Sequence, residues 1–315
     1  MILCCGEALT DFLPVKTEAG DFAFQPFNGG SIYNVAIALG RLGADVGFFG
    51  GVSEDLFGRS LAEGLRASNV DLSFAVRSER PTTLAFVKFD EGDAEYAFVD
   101  DGSAGRMLSE TDIPNLPATV TTLHFGSISL IPKPGGATFE TMAVRNAGKR
   151  LISLDPNIRP GLIRDRDAYL RRFEALVGCA DILKLSDADL AWLAPEADAG
   201  TLAHEWTDRG VGLVVLTRGR EGSIAFTAGD KVTCKPRQVR VADTIGAGDT
   251  FMAGMLAYLE NAGVQTPEGV AGMDRNALTA ALDFATGAAA ITVSRSGANP
   301  PWADEMNNGT NFGIS

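Results

Sequence analysis

Short apolar runs alternate with amphipathic stretches along most of the chain. The runs are apolar on both alternating faces, and they cover residues 1–5, 46–49, 122–125, 151–154, 182–185 and 213–216. A strand that is buried on both faces of a parallel sheet has this pattern. Between the runs, residues 34–42 and 56–67 carry apolar side chains at helical spacing. Strands that alternate with helices predict an α/β fold with a mainly parallel central sheet.

Two segments break this rhythm. Residues 11–28 show no helical period, and residues 84–99 alternate between apolar and polar positions around a turn that contains Gly92. The second pattern is typical of a β-hairpin with one polar face. We therefore predict that these two segments form a small antiparallel β layer that projects from the main domain. Residues 303–315 are predicted to form a C-terminal tail.

Charge narrows the range of partners. The chain has 27 Lys and Arg against 40 Asp and Glu, a net charge of −13, which would repel nucleic acids and anionic membranes. No run reaches the roughly 18 apolar residues of a membrane span, and no cationic segment precedes the first apolar run. The expectation is a cytoplasmic protein with no nucleic-acid or membrane partner. An anionic small molecule held by backbone amides is still compatible with this charge.

The four cysteines and two histidines show no metal-binding pattern. Cys4 and Cys5 are adjacent in an apolar run, whereas Cys179 and Cys234 are isolated, so neither a zinc site nor a disulfide framework is indicated. We expect reduced, buried thiols.

The most informative segment is residues 243–251, Asp-Thr-Ile-Gly-Ala-Gly-Asp-Thr-Phe, which leads into an apolar helical face. Gly246 and Gly248 would let a ligand approach the free N–H groups at the positive end of that helix. Asp249 adds a carboxylate where an anion is expected, which suits a phosphoryl-transfer site whose base accepts a proton from the attacking hydroxyl. The alternative is a glycine-rich turn in which Asp249 is an ordinary first-turn acid.

Other nucleotide-binding motifs are missing. Gly148 and Lys149 lack the remaining residues of a Walker A loop, and residues 6–11 after the first run, Gly-Glu-Ala-Leu-Thr-Asp, are not a dinucleotide-binding turn. These absences argue against a P-loop enzyme and a dehydrogenase. Residues 28–34, Asn-Gly-Gly-Ser-Ile-Tyr-Asn, could hold hydroxyl groups, although an ordinary helix cap uses the same residue types.

The glycine-rich segments together resemble the two signatures of the ribokinase-like (PfkB) carbohydrate kinases. The first signature corresponds to residues 29–43, with Gly-Gly at 29–30 and Asn-Val-Ala at 34–36, and the second to residues 243–249. Residues 6–12, 102–106 and 155–160 resemble the fructokinase branch, except that Gly105 stands where an Asp is common. The resemblance covers roughly residues 1–302 and implies a doubly wound α/β domain. Inserted segments at about 11–28 and 84–104 would form a small β-sheet, a lid over the sugar.

The resemblance also implies an ATP-dependent transfer of phosphate to a primary hydroxyl of a small sugar. Asp249 would be the general base, and the amides of Gly246, Ala247 and Gly248 would stabilise the charge on the transferring phosphoryl group. The implied sugar contacts are Asp11, Gly29, Gly30, Asn34, Arg106 and Arg159. The implied nucleotide contacts are Ser186, Thr217, Gly219, Gly248 and Thr286.

Two cations follow from the same resemblance. Mg²⁺ would arrive with ATP and be oriented through water by Asp189, because the family's Asn-x-x-Glu motif stands here as Ser-Asp-Ala-Asp at 186–189. K⁺ would lie beside the glycine loop, largely on backbone carbonyls. Its implied ligands are Asp243, Ile245, Thr292, Arg295 and Gly297. Pro301 stands where some members have a hydroxyl ligand.

The identity of the sugar stays open at this stage. The preferred candidate substrate is D-fructose, which would give fructose 6-phosphate. 2-Keto-3-deoxygluconate is second because its carboxylate could use Arg106 or Arg159, and another sugar, as in ribokinase, is a further alternative. A non-catalytic sugar-binding protein on the same fold would be expected to lose the base or the glycines, and neither is lost. Exposed lid strands with Phe22, Phe24 and Phe98 predict a homodimer through the lid.

Overall fold

A computed structural model describes residues 1–90 and 93–307 of the 315-residue chain. Its strands are β1 (Ile2–Cys5), β2 (Leu9–Lys16), β3 (Phe22–Gly29), β4 (Val46–Phe49), β5 (Gly51–Ser53), β6 (Val76–Ser78), β7 (Thr83–Asp90), β8 (Asp93–Val99), β9 (Thr122–Gly126), β10 (Leu151–Asp155), β11 (Ile182–Ser186), β12 (Leu213–Thr217), β13 (Ser223–Phe226) and β14 (Lys231–Cys234). Its helices are α1 (Ser31–Arg41), α2 (Leu56–Ala67), α3 (Gly135–Asn146), α4 (Arg166–Val177), α5 (Asp187–Leu193), α6 (Ala199–Asp208), α7 (Ala247–Asn261), α8 (Pro267–Ala271), α9 (Arg275–Val293) and α10 (Ala303–Asn307).

The strands predicted from the apolar runs lie together in one sheet, with the order β14-β13-β12-β11-β10-β9-β1-β4. From β4 to β12 neighbouring strands are parallel, and Leu3 of β1 stands opposite Gly47 on one side and Leu123 on the other. The predicted α/β class is therefore confirmed. The antiparallel strands β13 and β14, of which β14 is the edge, have no counterpart in the prediction. In β14, exposed residues alternate with more buried ones, so it lacks the continuous apolar run of the parallel strands.

Helices cover both faces of this sheet, which explains why its parallel strands are mostly apolar on both faces. Cys4 and Phe48 pack on the face covered by α1, α2, α7 and α9. Cys5 and Phe49 pack on the opposite face, against α3, α4 and α6. The four cysteines are unpaired, as expected, but Cys179 and Cys234 are only partly buried.

Helix α9 differs from the expectation that no segment is long and apolar enough to cross a membrane. By length and composition it could do so, with a mean hydropathy of 1.2. Half of that stretch is buried inside the protein, and α9 packs closely on α7. A Cβ atom at Gly254 of α7 would lie 2.9 Å from the Cα atom of Ala285. Its hydropathy thus reflects a place in the core, where small side chains let two helices approach.

The two irregular segments form a second sheet with the order β3-β2-β7-β8, in which β2 and β7 are parallel and the outer pairs antiparallel. Asp11 of β2 stands opposite Phe27, and Phe12 stands opposite Pro26 and Phe86. Because the side-chain direction alternates, Asp11 and Phe12 point to opposite faces. The predicted turn residue Gly92 lies outside the described residues. Residues 100–104 follow β8 as turns rather than strand.

The C-terminal segment departs from the predicted boundary at residue 302. Residues 303–307 form helix α10, whose Glu305 pairs with Arg295 and accepts a hydrogen bond from the Trp302 amide at 2.8 Å. This helix is therefore part of the folded domain. The rest of the predicted tail, residues 308–315, lies outside the described residues.

Candidate active site

Helix α7 begins at a turn that only glycine can form. Gly246, its N-cap, has a φ of 73°, and a Cβ atom there would lie 2.7 Å from that of Ala298. Both the left-handed backbone and the close neighbour therefore exclude a side chain. The first N–H groups of a helix have no intrahelical acceptor, so this turn directs donors and the positive end of the dipole toward a ligand.

Asp249 lies in the first turn of α7 and is 7% exposed. Its Oδ1 accepts a hydrogen bond from Ser31 Oγ at 2.6 Å, and its Oδ2 accepts one from Asn34 Nδ2 at 2.8 Å. Asn157 Nδ2 lies 3.5 Å from Oδ1. The carboxylate is held from three directions and buried, so it is not an ordinary solvated first-turn acid.

A first cavity of about 860 Å³ opens over Asp249, between the second sheet and the carboxyl ends of the central strands. Ligands of open α/β sheets bind at this edge. The predicted residues that line it are Asp11, Gly30, Asn34, Arg159, Ile245, Gly246, Ala247, Gly248 and Asp249. Gly29 lies just behind the wall, where a Cβ atom would meet Asp11 Oδ2 at 2.3 Å.

The first cavity is acidic. Burial raises the pKa of Asp11 to about 6, although Arg159 opposes this. Burial raises the pKa of Glu7 to about 7 against hydrogen bonds that lower it, among them one from the Ile32 amide. Among the described residues, Glu7 Oε2 is buried and has no hydrogen-bond partner. Arg159 is the cation among the described residues of this wall, and its Nη1 donates to Asn157 Oδ1 at 2.7 Å.

Arg106 is the predicted sugar contact that the structure does not bring to the first cavity. Its Nη1 lies 3.2 Å from a carboxylate oxygen of Asp100 and 3.7 Å from one of Asp101. The loop after β8 supplies these partners, so the guanidinium is satisfied locally. The expectation that Arg106 contacts the sugar is corrected accordingly.

A second cavity of about 920 Å³ meets the first at the start of α7. All the predicted nucleotide contacts line it: Ser186, Thr217, Gly219, Gly248 and Thr286. Four residues line both cavities, namely Asn157, Thr244, Ala247 and Gly248. Two ligands, one in each cavity, would therefore meet beside Asp249.

The structure gives Asp189 a different place from the one predicted. It is 3% exposed and lines neither cavity in the described part of the chain. Its Oδ2 accepts hydrogen bonds from the amide and hydroxyl of Ser186, and its Oδ1 accepts one from the Ile158 amide at 2.6 Å. Asp189 thus closes a capping box at the start of α5 and is not exposed to a hydrated ion. Asp187, two residues earlier, lines the second cavity.

The predicted potassium ligands lie on the loop before α7 and at the end of α9 with the loop that follows it, and Asp243 joins these two segments. Its Oδ1 accepts a hydrogen bond from the Ile245 amide at 3.0 Å, and its Oδ2 accepts one from the Gly297 amide at 2.9 Å. Thr292 is fully buried, and its carbonyl accepts a hydrogen bond from the Arg295 amide at 3.0 Å. The carboxylate of Asp243 therefore fixes the glycine loop to the segment that follows α9.

Several residues that line these cavities were not among the predicted site residues, notably Glu7, Ser31, Asn157 and Lys184. The first three lie inside motifs that were recognised, but nothing in the sequence distinguishes them from their neighbours. Asn157 has a φ of 38°, a left-handed conformation that asparagine tolerates and that follows directly after β10. Lys184 carried the clearest signal, a charged residue inside the apolar run of β11.

Comparison with known proteins agrees with this geometry. Residues 1–305 match the sequence profile of the pfkB family carbohydrate kinase. A fructokinase from Rhizobium leguminosarum bv. trifolii is 49% identical over 278 residues, which are 88% of this chain and 85% of that relative.

Solved structures give the same result. A fructokinase from Xylella fastidiosa with bound ATP has a TM-score of 0.89 and 27% identity, covering 97% of this chain and 96% of that one. A fructokinase from Vibrio cholerae O395, in its fructose, ADP and calcium ion bound form, has a TM-score of 0.81 and 26% identity over 94% of both chains. A double mutant of the latter is described with fructose, ADP and a potassium ion bound.

The buried Glu7 leads to a prediction about stability and pH. Burial raises the pKa of Glu7 in the folded protein from its ordinary value of 4.5 to about 7. Glu7 therefore contributes stability that is fully present below about pH 4.5 and is lost as the pH rises through about 7. A Glu7→Gln variant cannot ionise. Between pH 5.5 and pH 8, we expect the free energy of unfolding of the wild type to fall relative to that of the variant by about 2 kcal/mol.

Urea denaturation of both proteins at the two pH values measures this difference. Titration of the groups that both proteins share contributes equally to the two free energies of unfolding and cancels in the difference. Glu63→Gln on the exposed face of α2 is the matched control and should give a difference that does not change with pH. A pH-independent difference for Glu7→Gln would contradict the prediction.

Proposed function

The chain belongs to the pfkB family of carbohydrate kinases, and on that premise we propose that it is an ATP-dependent fructokinase, which converts fructose to fructose 6-phosphate. The observation that carries the proposal is the buried Asp249, held by Ser31 and Asn34 where the two cavities meet. A base at that junction can reach a hydroxyl in one cavity and a phosphate in the other. The 49% identical fructokinase and the two similar fructokinase structures support the same activity.

The reaction follows from this arrangement. Asp249 accepts the proton of the primary hydroxyl, whose oxygen forms a bond to the γ-phosphorus as the bond to the β-phosphate oxygen breaks. The electron pair of that bond leaves with ADP. The amides of Gly246 and Gly248 would stabilise the charge that accumulates on the phosphoryl oxygens, whereas the predicted third donor, the Ala247 amide, donates to the Thr244 carbonyl at 3.3 Å. The bonds from Ser31 and Asn34 orient the carboxylate before the sugar arrives.

The charges of the first cavity favour a neutral sugar over a sugar acid. Glu7, Asp11 and Asp249 would repel the carboxylate of 2-keto-3-deoxygluconate. Arg106 pairs with Asp100, which leaves Arg159 as the cation of the wall in the described part of the chain. Carboxylates accept hydrogen bonds well from sugar hydroxyls, which a neutral ketose supplies. This contrast supports fructose.

The second cavity is suited to a divalent ion that arrives bound to the phosphates of ATP. Mg²⁺ is usually bound by one or two carboxylates, substrate phosphates and several waters. Asp187 is the carboxylate that lines the second cavity in the described part of the chain and would contact this shell, in place of Asp189. The ion would neutralise charge on the phosphates. ATP as donor and four unpaired cysteines also support a cytoplasmic location.

The first prediction tests the reaction and its base together. The purified protein should release ADP with fructose at a higher kcat/KM than with ribose or 2-keto-3-deoxygluconate. Asp249→Asn keeps the shape of the side chain but removes the base, so kcat with fructose should fall by about 10²- to 10⁴-fold. A coupled ADP-release assay measures both.

Asp208→Asn, an exposed acid at the end of α6, is the matched control and should retain the kcat of the wild type. Unfolding curves of the Asp249→Asn variant must show an intact fold. Near-normal turnover of that folded variant would exclude Asp249 as the base. A higher kcat/KM of the wild type with another sugar would show that fructose is not the preferred substrate.

We also propose that K⁺ binds between the two segments that Asp243 joins. A carboxylate has about four acceptor positions, of which the Ile245 and Gly297 amides use two. The remaining positions and nearby carbonyls can hold a monovalent cation. Because this loop leads directly to Gly246, an ion there would order the amides that face the phosphoryl group.

Potassium should therefore activate the enzyme. At equal ionic strength, we expect a kcat several-fold higher in potassium chloride than in tetramethylammonium chloride, saturating with K⁺ at constant Mg²⁺ and ATP. Asp243→Asn should raise the K⁺ concentration needed for half of the effect. Equal rates in both salts would rule out activation.

We further propose a homodimer through the lid sheet. On its face away from Asp11, Phe24 contacts Phe22 and Phe86 with ring centroids 4.9 and 5.3 Å apart. Phe22 is 67% exposed and Phe24 38%, on the edge strand β3, and a second copy would cover this apolar row. The predicted third residue, Phe98, lines the first cavity instead.

Sedimentation velocity at micromolar concentration should show a dimer for the wild type and a monomer for the Phe22→Ser/Phe24→Ser double variant, which removes the apolar row. Val144→Ser changes an equally apolar residue, 55% exposed on α3 outside the lid, and should leave the dimer intact. A wild type that sediments only as a monomer would contradict the proposal.

A further inference from the structure

Lys184 is a buried cation in the central strand β11, with a side chain that is 4% exposed. Its Nζ donates a hydrogen bond to Asp155 Oδ2 at 2.8 Å, and the Asp155 side chain is 1% exposed. Lys184 also lines the second cavity. A Cβ atom built on Gly248 would lie 3.2 Å from Nζ, so the ammonium lies against the first turn of α7, where the two cavities meet.

The ion pair alone does not account for this lysine. Burying two charges is costly, and an apolar pair of the same volume is often at least as stable. Asp155 Oδ1 is buried without a hydrogen-bond partner in the described part of the chain, so the pair is not fully satisfied. An ammonium has three donors, and Asp155 uses one of them.

The charge of Lys184 persists at neutral pH. Burial lowers the pKa of the ammonium, but Asp155, Asp189 and Asp249 outweigh this effect and raise it above its ordinary value. In the second cavity, the described cations are Lys184, Arg220 and Arg237. Of these three, Lys184 is the one that contacts the junction glycine Gly248.

We propose that Lys184 is a catalytic residue, whose ammonium donates hydrogen bonds to the γ-phosphoryl oxygens during transfer, and that Asp155 positions it. The inference rests on the proposed kinase function and extends it to a residue outside the two glycine-rich signatures. As the bond to the sugar oxygen forms and the bond to ADP breaks, negative charge spreads over the oxygens of the phosphoryl group. Lys184 stabilises that charge and keeps its own proton, since the proton of the hydroxyl goes to Asp249.

This geometry gives a second reason why position 248 requires glycine, besides the close approach of its backbone amide to phosphate. A side chain at Gly248 would lie between the ammonium and the phosphoryl group, in addition to blocking the backbone amide. The glycine loop and the buried lysine are therefore parts of one anion site. Donors on opposite sides of the transferring group can hold it in line between the two oxygens.

The experiment compares a catalytic charge with a structural ion pair. In Lys184→Gln, kcat should fall by about 10²- to 10³-fold, the loss that follows removal of one preorganised donor, with a KM for fructose within about threefold of the wild type. The Lys184→Gln/Asp155→Asn double variant replaces the ion pair by two neutral amides that can hydrogen-bond each other. It should fold and remain as inactive as Lys184→Gln.

A structural role predicts the opposite outcome, because the neutral pair would restore the packing and with it the activity. Recovery of half of the wild-type kcat in the double variant would therefore overturn the proposal. Lys184→Ala adds an independent readout of charge: ethylammonium should restore turnover in a saturable way, whereas 1-propanol, a neutral molecule of similar size, should not. Equal rescue by both would also overturn it.

Nucleotide binding tests the inference without any sugar. By calorimetry, Lys184→Gln should weaken the binding of Mg-ATP at least tenfold and leave the affinity for AMP, which lacks the γ-phosphate, within about twofold. Equal weakening of both would contradict a contact with the phosphates. If the wild type failed to phosphorylate fructose, the proposed function would fail, while this comparison would still decide the role of Lys184.

Discussion

The hydrogen bonds that Ser31 and Asn34 donate to Asp249 join the start of α1 to the start of α7, and both cavities depend on this junction. The two helices come from segments about 200 residues apart, and both follow a glycine with a positive φ, Gly30 at 104° and Gly246 at 73°. Each glycine lets the chain turn sharply so that a helix N-terminus points at the same point in space. A carboxylate there is stabilised by two dipoles and two side-chain donors, which offset its burial.

Much of the fold could be predicted because its physical cause is local. A run such as residues 213–216 is apolar at every position because helices cover both faces of the sheet, and that requirement is visible in sequence. The edge strand β14 could not be predicted in the same way, since its residues alternate between exposed and buried positions. The hydropathy of α9, taken alone, would wrongly suggest a membrane span. The helix is apolar because it packs in the core against a neighbouring helix through alanine.

The positions of site residues could be predicted where backbone conformation determines them. They were harder to predict where they depend on which hydrogen-bond partner a side chain meets. Gly246, Gly248 and Asp249 lie where their pattern indicates, because the positive φ and the helix start fix them. Arg106 and Asp189 instead pair with partners that the glycine-rich patterns do not specify. Arg106 finds Asp100 in its own loop, and Asp189 closes a capping box with Ser186 and reaches the Ile158 amide. No pattern in the sequence indicates which of several possible hydrogen-bond partners such a side chain will contact.

An acidic protein that binds a polyanion must separate its charges in space. The first cavity gathers carboxylates, which accept hydrogen bonds from the hydroxyls of a neutral sugar and disfavour an acidic one. The boundary with the second cavity gathers donors instead: the helix start at Gly246, the amide of Gly248 and the ammonium of Lys184. The net charge of −13 therefore says little about the anion site, because its field comes from dipoles and one buried cation at close range. Asp249 stands on the border between the two regions, which is where a proton has to leave the sugar as a phosphoryl group arrives.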